Sequence, residues 1–213
     1  MTPNKQIIGV TGNSGSGKGT VCAILRNLGG FCIDADHLSH QVIEYGLPAY
    51  TEITELFGAG ILESNGSIDR KKLGDIVFRD PRKRKALEHI IHKHVKQKCG
   101  RLTAEALGKN EYAFIVWDAP LLAEAGMHRK CALVLLVTAP FTTKLTRIIN
   151  RDGISEEQAL LRLINQPAEA ALYKKLTADI GAAHVKIIEN KGSFDDLEHK
   201  TRMAVCSRVI ECI

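Results

Sequence analysis

The residues from Gly12 to Thr20 have the composition and spacing of a phosphate-binding loop. The stretch reads GNSGSGKGT, with an apolar run at 7–10 before it and a helical pattern at 21–25 after it. Glycines let such a loop wrap tightly, so that successive backbone N–H groups point at phosphate oxygens. The start of the following helix adds partial positive charge, and Lys18 adds a full charge that reaches the outer phosphates. The pattern predicts a nucleoside triphosphate site formed by Gly12, Gly15, Ser16, Gly17, Lys18, Gly19 and Thr20.

Position 19 departs from the commonest form of this loop. The pattern G-x-x-x-x-G-K-[ST] has a hydroxyl directly after the lysine, where it coordinates Mg²⁺. This chain has Gly19 there and a hydroxyl one residue later, at Thr20, a G-K-G-T form that resembles the loop of adenylate-kinase-type enzymes. We expect phosphate binding to persist, and Mg²⁺ to be held by Thr20 and Asp118, directly or through water.

Two carboxylates, Asp34 and Asp36, close the second apolar run of the chain. In open α/β sheets, ligands bind beyond the carboxyl ends of the strands, so both residues are expected near the phosphate loop. The two-residue period of a strand would point both side chains to the same side. We predict that Asp34 is catalytic. The alternative is that one of the two only caps the next helix, for which Asp36 is well placed.

A third carboxylate, Asp118, ends the apolar run at 114–117. Many strands end in Asp, but behind a phosphate loop this arrangement is typical of the Asp that lies near Mg²⁺.

Arg147 and Arg151 are spaced i, i+4 in a predicted helix, so they share a face and could clamp a transferring phosphoryl group. The alternative for the two arginines is a solvated basic face.

Short apolar runs alternate with helical patterns along the chain. Strands are predicted at 6–11, 31–34, 113–118, 133–138 and 185–189, as continuous apolar runs typical of parallel strands buried on both faces. Helices are predicted from Pro81 to about 108, from Ser155 with a capping box to Gln158, and after Ser193. The alternation predicts a doubly wound α/β sheet. The long, mostly helical interval between residues 34 and 113 predicts an inserted helical subdomain.

Composition excludes several functional classes. The chain has 213 residues, 45% of them hydrophobic, and a net charge of +5 that is spread along the sequence. No window of 18 apolar residues or signal-peptide pattern is visible, so we expect a cytoplasmic protein without a membrane span. Few aromatic residues and no nucleic-acid motif argue against a nucleic-acid partner. The six cysteines have no C-x-x-C or zinc-site spacing, so we expect reduced thiols and no cysteine metal site.

These residues together resemble the dephospho-coenzyme A kinase family, and the resemblance covers nearly the whole chain. The matching motifs, in order, are the phosphate loop, IDAD at 33–36, QV at 41–42, GLPA at 46–49, FG at 57–58, IL at 61–62, GSIDR at 66–70, Leu73, VF at 77–78, LE at 87–88, His92, DAPLLAE at 118–124, Arg147, RD at 151–152, EE at 156–157, Gln166 and NKG at 190–192.

The resemblance implies a phosphate-loop kinase fold with five parallel strands, helices on both faces, a helical substrate-binding insert and a lid. It implies one domain over residues 5–206, with the insert at about 37–110 and the lid at about 141–178. The implied reaction transfers the γ-phosphoryl group of ATP, with Mg²⁺, to the ribose 3′-hydroxyl of dephospho-coenzyme A. That reaction is the last step of coenzyme A synthesis. The implied assembly is a monomer or a small homo-oligomer.

The resemblance also implies roles for single residues. Asp34 is the implied base, and Lys18 and Arg147 act with it in catalysis. Nucleotide contacts beyond the loop are implied for Arg151 and Asn190. Contacts to the acceptor substrate are implied for Asp36, His92, Asp118, Leu121 and Leu122.

This chain departs from the family pattern at three places. Gly19 replaces the usual Ser, Lys93 follows His92 where the family usually has Pro, and the stretch 178–186 fits poorly. Two alternatives therefore stay open. One is another nucleoside or nucleotide kinase of the same fold, which the G-K-G-T form suggests. The other is a nucleotide-binding regulator without catalysis, against which the retention of Lys18, Asp34, Arg147 and Arg151 argues.

Overall fold

The computed structural model describes residues 7–109 and 111–206. Its centre is a sheet of five strands in the order β2-β3-β1-β4-β5. The strands are β1 (Ile7–Thr11), β2 (Gly30–Asp34), β3 (Phe114–Asp118), β4 (Leu133–Thr138) and β5 (Val185–Glu189). Strand β1 lies between β3 and β4 and pairs in parallel with both. The carboxyl end of β1, where the phosphate loop begins, is therefore central in the sheet.

The three central strands, β1, β3 and β4, are buried on both faces because helices cover them. Ile8 and Val10 in β1 are fully buried, as is the run from Leu133 to Val137 in β4. Apolar side chains of α1 (Lys18–Asn27) and α9 (Phe194–Val205) pack with β1, β3 and β4 in one core cluster. The predicted doubly wound α/β sheet is confirmed, with strand ends that agree within one residue. Residue 6 of the first predicted strand lies outside the described residues.

The chain divides into two compact units, residues 1–33 with 105–213 and residues 34–104. The first unit contains the sheet, α1, α9 and three further helices, α6 (Phe141–Asp152), α7 (Glu156–Ile164) and α8 (Glu169–Ile180). Ser155 and Gln158 form a capping box at the start of α7, as predicted. Ser193 caps α9, where its hydroxyl accepts from the N–H of Asp196.

The second unit is helical. It contains α2 (Ala35–Gln41), α3 (Pro48–Phe57), α4 (Arg70–Arg79) and most of α5 (Pro81–Lys109), which begins at Pro81 as predicted. Its own core is formed by Ile53, Ile61, Ile68 and Leu73. In the part of the chain that the structure describes, no helix has the length and apolarity needed to cross a membrane. The division of residues 5–206 into core, insert and lid stays a prediction.

Candidate active site

The loop between β1 and α1 has backbone conformations that suit glycine. Gly12, Gly15 and Gly17 have φ values of 146°, 76° and 100°, in the range that side chains with a Cβ rarely adopt. A Cβ on Gly15 would lie 2.6 Å from the carbonyl oxygen of Lys144. A Cβ on Gly12 or Gly17 would overlap the carbonyl oxygen of Val137 or Nδ2 of Asn190. The loop therefore wraps into a cradle whose glycines are packed too tightly against neighbouring segments to carry side chains.

Lys18 is held against the beginning of this loop. Its Nζ donates to the carbonyl oxygen of Gly12 at 2.8 Å and to that of Asn13 at 3.3 Å. Gly17 is the N-cap of α1 in a left-handed conformation, so the first N–H groups of the helix open into the loop. The ammonium group and the positive end of the helix thus meet in one place, which is the electrostatic requirement for binding a polyphosphate.

Ser16 gives independent evidence for a ligand at the loop. Its side chain is fully buried, and its Oγ has no hydrogen-bond partner among the described residues. A buried hydroxyl without a partner costs about 1–3 kcal/mol, so such groups usually face a ligand or water. The cradle, the hydroxyl and Lys18 together fit the phosphates of a nucleotide.

Arg147 and Asn190 contact the backbone of the loop at Gly15 and Ser16. The guanidinium of Arg147 donates through Nη1 to the carbonyl oxygens of Gly15 (3.2 Å) and Ser16 (3.5 Å), and through Nη2 to Oδ1 of Asn190 (3.4 Å). Asn190 is buried, and its Nδ2 donates to the same Ser16 oxygen at 2.8 Å. Two residues that sequence reasoning assigned to catalysis and nucleotide binding therefore lie directly against the phosphate loop.

Arg151, one turn beyond Arg147 on α6, is part of an ionic network. It donates to both carboxylate oxygens of Asp152, at 2.7 and 3.0 Å, and its Nη2 lies 3.4 Å from Oγ of Ser14. Arg162 from α7 donates to the same carboxylate. Hydrogen bonds from Arg151 lower the pKa of Asp152 to about 2. The network keeps α6, α7 and the loop tip in contact.

Sequence reasoning did not assign site roles to three residues that contact the loop or support it. Oε1 of Gln166 accepts the N–H of Ser14 at 2.9 Å, and the carbonyl oxygen of Pro167 accepts Nδ2 of Asn13 at 3.1 Å. Lys144 is buried behind Gly15, and its Nζ donates to Glu169 at 2.7 Å. Gln166 was visible in the sequence only as one of the matching positions of the family resemblance.

The other predicted residues of the first unit have different environments. Asp118 ends β3, and the Cys22 thiol is hydrogen-bonded to it. Burial, assisted by the Asp118 carboxylate, raises the pKa of Cys22 far above its usual value, so the thiol stays protonated. Thr20 and Leu121 are exposed. Leu122 is fully buried, and a Cβ on Gly9 would lie 2.6 Å from its Cδ2, so its side chain is a core residue in this structure.

Three predicted residues belong to the second unit. Asp34 ends β2 and is the N-cap of α2, where its Oδ1 accepts the N–H of His37 at 2.9 Å. The suggestion that Asp36 caps this helix is wrong, because the strand stops at Asp34 and Asp36 lies in the first turn of α2. The strand period therefore does not relate the two side chains, although both are exposed. His92 lies half-buried in α5.

Gly19 differs from the other loop glycines. It lies inside α1, and a Cβ built on it would have no neighbour within 4 Å. No steric contact therefore requires glycine at this position.

Comparison with known proteins gives a consistent result. The family model for dephospho-CoA kinase matches residues 6–196. A dephospho-CoA kinase of Bacillus licheniformis is 37% identical over 192 residues, which cover 90% of this chain and 91% of the relative. The one from Geobacillus kaustophilus is 39% identical over 189 residues, or 89% of this chain and 90% of the relative.

Solved structures agree with the sequence relatives. The structure of dephospho-CoA kinase from Campylobacter jejuni superposes with a TM-score of 0.65 at 27% identity, covering 97% of this chain and 98% of the other. A shikimate kinase from Acinetobacter baumannii, with a TM-score of 0.52 at 17% identity and 97% coverage of both chains, is similar in fold alone.

Proposed function

The chain belongs to the dephospho-CoA kinase family, and we propose that its phosphate loop, Lys18, Arg147 and Asp34 carry out the transfer. The γ-phosphoryl group of ATP is transferred to the ribose 3′-hydroxyl of dephospho-CoA, giving coenzyme A and ADP. The observation that carries the proposal is the loop itself. Its glycines have positive φ values, the buried hydroxyl of Ser16 has no partner among the described residues, and Lys18 is hydrogen-bonded to the loop, an arrangement that suits a polyphosphate.

The loop and α1 supply the binding energy for the donor. Backbone N–H groups of the loop and of the first helical turn bind phosphate oxygens, and Oγ of Ser16 gains the partner that it lacks. Nζ of Lys18 moves from the carbonyl oxygens of Gly12 and Asn13 to the outer phosphates, a short displacement for a flexible side chain. Positioning and charge stabilisation are most of what phosphoryl transfer asks of a protein.

Arg147 is preorganised beside these phosphates. Its guanidinium is already fixed by the loop carbonyl oxygens and by Asn190, so little conformational entropy is lost when negative charge develops nearby. Arg151 adds a second positive charge at the loop tip, next to Ser14. We propose that both belong to a lid formed by residues at about 141–178.

Asp34 acts as the base in this proposal. Its Oδ1 is fixed by the N–H of His37, which leaves Oδ2 to accept the proton of the 3′-hydroxyl. As that proton moves to the carboxylate, the hydroxyl oxygen forms a bond to the γ-phosphorus and the bond to the bridging oxygen of ADP breaks. The further acceptor contacts that we propose are Asp36, His92 and the exposed Leu121.

The residues present also fit a magnesium ion. Among the described residues there is no cluster of three or more metal-binding side chains, and Mg²⁺ in nucleotide sites needs only one or two carboxylates with the phosphates. Asp118 would supply a carboxylate and Thr20 a hydroxyl, directly or through water. When bound, Mg²⁺ would neutralise charge on the phosphates. Gly19 offers no ligand, so the ion would keep more of its water.

The proposal is tested by coupled ADP release with dephospho-CoA, AMP or a nucleoside as acceptor. We expect ADP release only with dephospho-CoA, and faster turnover of AMP would transfer the assignment to another nucleotide kinase. ATP binding without turnover of any acceptor would support the alternative that the chain is a nucleotide-binding regulator without catalysis.

The role of Asp34 is tested by Asp34→Asn. Asn caps helices as well as Asp, so the variant keeps α2 intact and loses only the basic oxygen. We expect kcat to fall by about 10²–10⁴-fold while ATP still binds. Asp75→Asn, the same charge change at an exposed residue of α4, is the control and should leave kcat unchanged. A near wild-type kcat for Asp34→Asn would contradict the assignment.

A further inference from the structure

Gln166 and Pro167, between α7 and α8, are hydrogen-bonded to the tip of the phosphate loop. Oε1 of Gln166 accepts the backbone N–H of Ser14 at 2.9 Å. One residue on, the carbonyl oxygen of Pro167 accepts Nδ2 of Asn13 at 3.1 Å. Two consecutive residues are thus fixed to two consecutive loop residues.

The hydrogen bond to Ser14 determines how the Gln166 amide is oriented. A backbone N–H can only donate, so the atom that faces it must be the oxygen of the amide. The NH₂ group of Gln166 is consequently directed away from Ser14. Within the described residues this NH₂ group has no hydrogen-bond partner, and the side chain is only half-buried. A pair of N–H donors, anchored through Oε1 of the same amide, is therefore available at the loop tip.

The loop tip borders the position of the outer phosphates. Nζ of Lys18, which in this motif binds the β- and γ-phosphates, lies on the carbonyl oxygens of Gly12 and Asn13. The guanidinium of Arg151 lies 3.4 Å from Oγ of Ser14. Two cationic groups and the Gln166 amide thus surround the stretch from Gly12 to Ser14, whereas the N–H groups that bind the inner phosphates follow it in the sequence.

We propose that Gln166 is a γ-phosphate-binding residue of this kinase. Its Oε1 stays anchored on the N–H of Ser14, and its Nε2 donates to an oxygen of the γ-phosphoryl group. The donor is neutral, so it distinguishes a nucleoside triphosphate from a diphosphate without adding charge to the site. This inference rests on the proposed function only in taking ATP as the phosphoryl donor, and it does not depend on the acceptor.

A simpler role would be that Gln166 only tethers the α7–α8 connection to the loop. Substitutions separate the two roles. Gln166→Glu keeps an oxygen that accepts the N–H of Ser14, but it replaces the NH₂ donor by a second, negatively charged oxygen. Gln166→Ala removes both groups. The matched control is Gln158→Glu, which adds the same charge in α7, where Glu serves equally well in the capping box.

The experiment measures nucleotide affinity by titration calorimetry, without acceptor, for a non-hydrolysable ATP analogue and for ADP. We expect Gln166→Glu to weaken binding of the ATP analogue by about 10–100-fold, because one hydrogen bond to a charged group is lost and the introduced carboxylate repels the γ-phosphate. The affinity for ADP should change by less than about threefold, because ADP has no γ-phosphate and therefore loses no contact to Gln166. Gln166→Ala should show a smaller selective loss, and Gln158→Glu should match the wild type for both nucleotides.

Wild-type affinity of Gln166→Glu for both nucleotides would overturn the proposal and leave only the tether. Equal weakening of the ATP analogue and of ADP would also overturn it. If Gln166→Glu does not fold, Gln166→Met keeps the side-chain volume without either polar group. The proposal then requires Gln166→Met to lose affinity for the ATP analogue and not for ADP. A failure of dephospho-CoA as acceptor would appear in the ADP-release assay alone, so the two proposals fail independently.

Discussion

The same substitution at two glycines of one loop should have opposite effects. Gly19→Ser adds a hydroxyl at the position that usually binds Mg²⁺, and Gly17→Ser adds it two residues earlier. At Gly19 the added Cβ meets nothing within 4 Å, and the residue is helical. At Gly17 the backbone has a φ of 100°, and the added Cβ would overlap Nδ2 of Asn190.

The expected magnitudes follow from these environments. Ser is a better helix former than Gly by about 0.5 kcal/mol, so Gly19→Ser should raise Tm by about 1–2 °C for a chain of this size. In Gly17→Ser, a left-handed residue with a Cβ costs about 1–3 kcal/mol. Displacing Asn190 from the carbonyl oxygen of Ser16 adds about 1 kcal/mol. The sum, about 2–4 kcal/mol, corresponds to a Tm lower by roughly 10 °C.

The assay combines calorimetric Tm with kinase rates measured over a series of Mg²⁺ concentrations. Gly19→Ser should stay active and reach half its maximal rate at a lower Mg²⁺ concentration, because Ser offers the ion a direct ligand. Gly17→Ser should lose activity together with stability. A loss of stability in Gly19→Ser, or an increased Mg²⁺ requirement, would refute the reasoning.

Three further outcomes can be tested on the same preparation. Glu169→Ala should leave the charge of the buried Lys144 uncompensated and destabilise the fold by about 2 kcal/mol, which calorimetry should show. The loss is smaller than for a fully buried ion pair because Glu169 is partly exposed. The control Glu157→Ala, at an exposed glutamate of α7, should cost only about a few tenths of a kcal/mol. Because the pKa of Asp152 is lowered to about 2, its stabilising contribution is present above about pH 4, the unfolded value, and is lost as the pH falls through 2. The Tm difference between Asp152→Asn and the wild type should therefore vanish in strong acid, and a difference independent of pH would contradict this. Arg147→Ala should lower kcat/KM by about 10³-fold with a Tm change of a few degrees at most, whereas lost stability with retained specific activity would indicate a purely structural arginine.

Local sequence was sufficient for the elements and for the loop. The strands are continuous apolar runs, and the phosphate loop is contiguous, so its glycines and lysine could be recognised from spacing alone. The capping box of Ser155 and Gln158 was also predictable, because both partners lie within one helical turn. Each of these features depends on interactions between residues a few positions apart.

The relative orientation of the Asp34 and Asp36 side chains, and which of them caps α2, depend on where strand β2 ends. If β2 had continued for two residues, both side chains would have shared one face. The chain instead turns into α2 at Asp34, and this makes Asp34 the cap. Leu122 is a similar case. Its neighbour Leu121 in the same motif is exposed, and only the tertiary packing, in which Leu122 lies against Gly9, decides that Leu122 is buried.

The contacts that complete the site were decided by the tertiary structure. Gln166 and Ser14 are separated by 152 positions in the chain, and Asn190 and Ser16 by 174. No periodicity or spacing relates such residues, because their approach depends on how helices beyond β4 pack against the loop. The sequence by itself therefore determined the loop that we propose to bind phosphate, through backbone conformations fixed locally by glycine. The packing of distant segments decided which side chains contact that loop, because hydrogen bonds at about 3 Å require the whole fold to bring the partners together.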